Sequence, residues 1–234
     1  MGVPYHTSQD VPGRCLWLID RLFSKVQTIT APHETDLGPL DTTFLFAMST
    51  LIFTLPIERL ERHRRKEEAG QQGYMDDRPL DPASAKEIDA VLGSDDTRFS
   101  ASPFHVPGAW RFASIDYSPD QNLAVEFPEE LAVRLSADDA VRDADDLSAR
   151  VWMNCLRNAL AHGGIVYLDA EGRQTHGKPT SMMGFVSAQY PNGNMRKPPE
   201  RLISLRVTPQ EYRATLQKWV CWVQSTGLSL PIAA

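Results

Sequence analysis

Arg157-Asn158-Ala159-Leu160-Ala161-His162, followed by Gly163-Gly164 and then Ile165-Val166-Tyr167-Leu168, is the stretch on which the reading of this chain turns. From about Ala144 to Ala161, the residues Trp152, Cys155, Leu156, Ala159 and Leu160 share one face of a 3.6-residue wheel, which predicts a helix against a core. Asp146, Arg150, Asn154, Arg157 and Asn158 form a polar stripe on the other side, and His162 sits at its edge, one turn beyond Asn158. The paired glycines end the helix, because glycine takes the left-handed C-terminal conformation without steric cost. The apolar run after them reads as a strand.

Working outward, further strands are expected within Met182 to Tyr190 and within Leu202 to Val207, giving a small antiparallel sheet after the motif helix. Thr208-Pro209-Gln210-Glu211 opens a last helix: Thr208 caps, Pro209 suits the first turn, and Glu211 completes a capping box. That helix runs to about Gln224, with Leu216, Trp219, Val220 and Val223 inward. Toward the N-terminus, a helix is expected from about Arg14 to Thr30, after a loose arm ending in Val11-Pro12-Gly13. Asp41 can cap a second helix that is apolar nearly all round until Ile57, kinked by Pro56, and charged from Glu58 to Glu68. A short helix over about Ala83 to Leu92 and a helical stretch at Leu131 to Leu135 complete the set. Between them, residues 94–128 carry Phe99, Phe104, Trp110, Phe112 and Tyr117 among Pro, Ser and Asp, with no readable period.

The fold class is therefore mainly α (α+β), a helical bundle with a small antiparallel sheet. The domain organisation is an N-terminal arm (1–13), one domain (14–226) with a β-hairpin insertion at about 164–207, and a C-terminal tail (227–234).

The chain has 234 residues, 42% hydrophobic and 23% charged, enough for one sizeable core without disulfides. A net charge of −6 weighs against a general basic coat for nucleic acid, so a nucleic-acid reader would need local positive patches. Arg62-His63-Arg64-Arg65-Lys66 and Arg196-Lys197 are the candidates. Cys15, Cys155 and Cys221 are odd in number and widely spaced, which fits reduced thiols and a cytoplasmic protein. The first ten residues lack a basic start followed by an apolar run, so no signal peptide is expected. Phe44 to Ile57 is shorter than the ~20 residues of a membrane span and reads as a core helix, so no membrane partner is expected.

The motif suits phosphodiester chemistry. Arginine offers a planar fork of donors to phosphate oxygens and keeps its charge. Histidine titrates near neutral pH and moves protons in either direction. Arg157 and His162 are thus the candidate active pair and Asn158 a supporting polar group; Arg150 and Asn154 extend the stripe as candidate substrate-binding residues. The six histidines show no metal-ligand spacing, and no phosphate loop or nucleophile-elbow motif occurs, so no metal and no cofactor is expected. A helix-end Arg/His pair can also be purely structural, with arginine on carbonyls and histidine against the helix dipole.

The run Arg157-Asn158-Ala159-Leu160-Ala161-His162 resembles the signature of the HEPN superfamily: an arginine, often followed by a polar residue, then a histidine after four to six intervening residues at a helix end. The apolar helix from Thr43 through Arg59 also resembles one in a plasmid-borne branch of that superfamily, and only the six-residue motif is specific. The resemblance implies a metal-independent endoribonuclease of a bacterial toxin–antitoxin or antiphage (abortive infection) system. It implies cleavage of RNA through the ribose 2′-hydroxyl by Arg157 and His162, a homodimer with paired motif helices, and a possible antitoxin or other regulatory protein. The alternative is a catalytically inactive HEPN-like module that binds a nucleotide or protein partner. One subgroup carries a tyrosine two residues after the histidine; here Gly164 stands there and the nearest tyrosine is Tyr167.

Overall fold

The computed structural model describes residues 7–29, 39–69, 82–123, 125–191 and 196–226. Within them the chain is a mixed α+β fold of seven helices and one four-stranded antiparallel sheet. The helices are α1 (Thr7–Val26), α2 (Asp41–Ala69), α3 (Pro82–Leu92), α4 (Glu129–Ser136), α5 (Ala140–Asp146), α6 (Ala149–His162) and α7 (Pro209–Ser225). The strands are β1 (Arg111–Asp116), β2 (Ile165–Leu168), β3 (Met182–Gln189) and β4 (Arg201–Val207).

The second helix starts one residue earlier than a cap at Asp41 would place it: Asp41 lies in the first turn, the Leu40 carbonyl accepts from the Phe44 N–H at 2.9 Å, and the Asp41 side chain accepts from the adjacent Thr42 N–H at 2.8 Å. It continues through Pro56. A proline in a helix leaves the carbonyl four residues earlier without its usual donor. That carbonyl belongs to Ile52, and the Trp219 indole N–H of α7 donates to it at 3.1 Å. The helix interruption is thereby turned into a tie between α2 and α7. The segment Asp41–Leu60 is long and apolar enough to cross a membrane by length and composition alone. Its inner face, with Leu45, Ile52, Phe53 and Ile57, is buried in the core, as expected for a core helix.

The first helix departs from expectation. It starts at Thr7, so the residues read as the end of an arm, including Val11-Pro12-Gly13, are helical. Tertiary packing overrides the breakers: Ser8, Gln9 and Pro12 are buried, and Gln9 donates to the Val223 carbonyl of α7 at 2.9 Å. Gly13 approaches α7 closely, since a Cβ there would lie 2.9 Å from the Gln224 side chain. The preceding residues 1–6, the tail 227–234, and the loops around His33 and at 70–81 lie outside the described residues.

The long helices α1, α2, α6 and α7 pack on one another around an aromatic centre. Trp152 of α6 stacks on Phe99 (4.5 Å between centroids, 10°) and meets Trp110 edge-on (5.0 Å, 88°). Offset-stacked and edge-to-face pairs are the geometries aromatic quadrupoles favour. The aromatics of residues 94–128 therefore serve the core. Phe99, Phe104 and Trp110 are fully buried, and Trp110 donates to the Thr215 hydroxyl at 3.0 Å.

The sheet has strand order β1-β4-β3-β2. The expected strands after the motif helix form as β2, β3 and β4. β1, from the stretch with no readable period, joins the far edge, with Phe112 opposite Leu205 and Ile115 opposite Leu202. Side chains alternate between faces. Phe185, Ile203 and Leu205 enter the helical core, while Ala113, Ile115, Val166, Val186 and Leu202 meet Phe127 and α4 in a second apolar cluster. Burial on both faces explains why β3 and β4 read as near-continuous apolar runs.

Candidate functional site at the end of the sixth helix

The motif helix is shorter than its sequence pattern predicts. Residues 144–146 belong to α5, and Ser148 opens α6 by accepting from the Val151 N–H at 3.1 Å. At its other end Gly163 caps α6 in the left-handed conformation, φ 75°. Gly164 then passes so close to β3 that a Cβ would lie 2.1 Å from the Val186 carbonyl oxygen, and Val186 donates to the Gly164 carbonyl at 2.7 Å. The two glycines stop the helix and stitch its end to the sheet. Ala149, Trp152, Met153, Cys155, Leu156 and Ala159 are the buried face, so Leu160, expected inward, is only half-buried.

The polar stripe divides between two surroundings. Arg150, Asn154 and Asn158 line an open cleft of about 510 Å³ between α6 and the end of β3. Ser187, Gln189 and Tyr190 line it from β3 and the residue after it, Asp95 lines it beside Ser148 at the start of α6, and Val151, Cys155 and Ile203 are its apolar lining. Arg157 points elsewhere. Its guanidinium pairs with Glu58 of α2 and donates to the Asn158 side-chain oxygen at 2.9 Å. Asn158 in turn donates to the Ser187 hydroxyl at 3.3 Å. Glu58, Arg157, Asn158 and Ser187 thus form one polar chain from α2 through α6 to β3. Asn158 is its hinge, facing both the arginine and the cleft.

Arg157 is not sealed by this arrangement. Its side chain keeps 27% of its exposure and Glu58 43%, and two of five guanidinium N–H groups are used. The Nε–H is buried without a partner. His162 is exposed on the last turn of α6, outside the cleft lining, and no hydrogen bond holds its ring among the described residues. The structure therefore joins Arg157 directly to Asn158 and leaves His162 free to turn. Cys155 is inert: burial pushes its thiol up, and it lies against the Phe185 and Ile203 carbonyls.

Sequence reasoning missed Glu58, Ser187, Asp95, Gln189 and Tyr190. Ser187 alone had a local signal, a hydroxyl inside an otherwise apolar strand. Other expected features fall apart in space. Arg62 to Lys66 continue the backbone of α2, and Tyr167 bonds Thr43 at 2.8 Å. His105 bonds Asp145 at 2.7 Å. Among the described residues no group of three or more His, Cys, Asp and Glu side chains could hold a metal ion.

Comparison of the chain with protein-family models, with curated proteins and with solved structures finds no match. The case for function rests on the site itself.

Proposed function

We propose that this protein is a HEPN-like, metal-independent endoribonuclease whose working residues are Arg157, Asn158 and His162, with Arg150 and Asn154 contacting substrate. The observation that carries the reading is the joint placement at the end of α6. A cation held by Glu58 and Asn158, an amide opening onto a cleft, and an exposed imidazole one turn beyond that amide all lie within the last two turns of α6. In the reaction the 2′-oxygen bonds to phosphorus as its proton passes to a base, and the P–O5′ bond breaks as the 5′-oxygen gains a proton. The products are a 2′,3′-cyclic phosphate and a 5′-hydroxyl. His162 moves one of these protons, and the remaining N–H groups of Arg157 hold the phosphoryl oxygens as charge develops.

One chain supplies one imidazole, whereas the step moves two protons. We therefore propose a homodimer that pairs two motif helices across a two-fold axis, so that each copy's His162 serves one proton. A bacterial toxin–antitoxin or antiphage role, in the cytoplasm and with an antitoxin or other regulatory protein as partner, follows from the same resemblance.

A specific observation favours the second reading, a catalytically inactive module that binds a nucleotide or a protein. Arg157 already has an anionic partner in Glu58, so its charge is largely spoken for. Purified protein incubated with total RNA decides between them. Wild type should cut in excess EDTA and leave 2′,3′-cyclic ends. His162→Ala should slow cutting by ~10²–10⁴-fold with an unchanged circular-dichroism spectrum, since the ring is exposed. Wild-type protein that leaves RNA intact as a dimer establishes the inactive reading; a His162→Ala variant that cuts equally fast removes His162 from the mechanism.

A further inference from the structure

We infer that the cleft beside α6 is a guanine-nucleotide subsite, which holds the nucleotide on the 5′ side of the cut. Its volume of about 510 Å³ lies in the range of small-ligand sites. Its lining mixes apolar residues with side chains of unused hydrogen-bonding capacity. Arg150 and Asn154 make no hydrogen bond or ion pair among the described residues. Among the described residues Asp95 accepts only a long bond from the Ser148 hydroxyl, 3.3 Å to one oxygen, which leaves the other open. Apolar lining beside amides and an aromatic ring suits a planar heteroaromatic base, with Tyr190 as the stacking surface.

The charges choose among the bases. Asp95 and Arg150 both belong to the N-terminal end of the cleft, near the start of α6, and are not paired with each other. Guanine presents adjacent N1–H and N2–H₂ donors on one edge and O6 and N7 acceptors on the other. A carboxylate matches the first pair, and a guanidinium matches the second. Adenine and cytosine place a ring-nitrogen acceptor where the carboxylate would sit, and uracil flanks its single N–H with two carbonyls. Each costs a repelled or unpaired carboxylate.

The opposite end of the cleft is Asn158, eight residues and about 12 Å along the helix axis from Arg150. A guanosine with its base at Asp95 and Arg150 runs its ribose past Asn154. Its 3′-phosphate then lies toward Asn158, the Arg157 fork and His162. A 2′-hydroxyl attacks its own 3′-phosphate, so the chain would cut after guanosine. That last placement rests on the cleavage reading above; the base subsite does not.

The test is equilibrium binding of 3′-GMP, 3′-AMP, 3′-CMP and 3′-UMP to the full chain by calorimetry. Wild type should bind 3′-GMP roughly tenfold or more tightly than the other three. Asp95→Asn, at an exposed position, should keep the fold and lose the preference; Arg150→Gln should weaken 3′-GMP at least severalfold. Equal affinities in wild type, no saturable binding, or a guanine preference that survives Asp95→Asn overturns the subsite. The two readings fail separately. Guanine-selective binding by a protein that leaves RNA intact keeps the subsite and removes the cleavage reading. His162-dependent cutting without guanosine at the new cyclic-phosphate ends does the reverse.

Discussion

Replacing Glu58 by glutamine tests how the motif arginine works. The substitution keeps the shape and one acceptor oxygen for Arg157 but removes the negative charge beside it. Two effects of opposite sign follow. With 43% and 27% of the two side chains exposed, the pair lies between the surface regime, worth about 0–1 kcal/mol, and the buried one, where breaking a pair costs about 3–5 kcal/mol. A loss near 1 kcal/mol is expected, or roughly 2–4 °C in Tm for a domain of this size. A phosphate on the free side of the guanidinium would sit ~7 Å from the Glu58 carboxylate. At an intermediate dielectric of ~40 that repulsion is about 1.2 kcal/mol, and at physiological salt about half of it. Glu58→Gln should therefore tighten binding of an uncuttable RNA, with deoxyribose at the cut, about sevenfold at low ionic strength. Near 0.15 M salt the gain should fall to two- to threefold. Fluorescence anisotropy across a salt series reads both numbers. Weaker binding, or no change at low salt, would show that Arg157 does not face the phosphate.

Under native conditions Cys221, which is exposed, should react with a thiol reagent, while buried Cys15 and Cys155, both pushed above the ordinary thiol range, react only after denaturation; mass mapping of the adducts checks this, and native labelling of Cys155 would contradict its place under the sheet. Burial also keeps Cys155 and Tyr212 protonated in the fold where the unfolded chain ionises them, from about pH 9 for the thiol. The unfolded state then binds fewer protons, so stability falls as pH rises, by up to about 1.4 kcal/mol per pH unit per group. Urea midpoints at pH 8, 9 and 10 should decline in that order; the upper limit stays at pH 10 because Arg206, which burial pushes down to about 10, acts in the opposite sense above it. Gly172→Ala should cost roughly 1–3 kcal/mol, since φ is +78° and a Cβ would lie 2.4 Å from the Arg206 guanidinium, itself pinned at 2.7 Å on the Leu135 carbonyl. Gly108→Ala, at φ +73° in open space, should cost less; equal losses in denaturant melts would show that the backbone angle alone matters at both.

Local chemistry made much of the architecture readable in advance. The capping box at Thr208 and Glu211, the helix stop at Gly163 and the inward face of Leu216, Trp219, Val220 and Val223 all stand in the structure. They are written in residues close together in the chain, where side-chain type and spacing fix the hydrogen bonds directly. The same holds for the exposed His162 beside the helix end. Tertiary packing decided the rest. Pro12-Gly13 reads as a break, yet α7 supplies enough contact to keep α1 helical through it. β1 has no period of its own, and β4 makes it a strand by offering a free edge. Asp95, Glu58 and Ser187 are separated from α6 by dozens of residues, and no local rule links a carboxylate on one helix to a guanidinium on another. The sequence determined which groups could do chemistry; only the fold decided that Arg157 would meet Glu58, while Arg150, Asn154 and Asn158 would open onto a cleft. Those pairings depend on how α2, α6 and β3 close around a common core, a long-range outcome of burial that spacing along the chain does not encode.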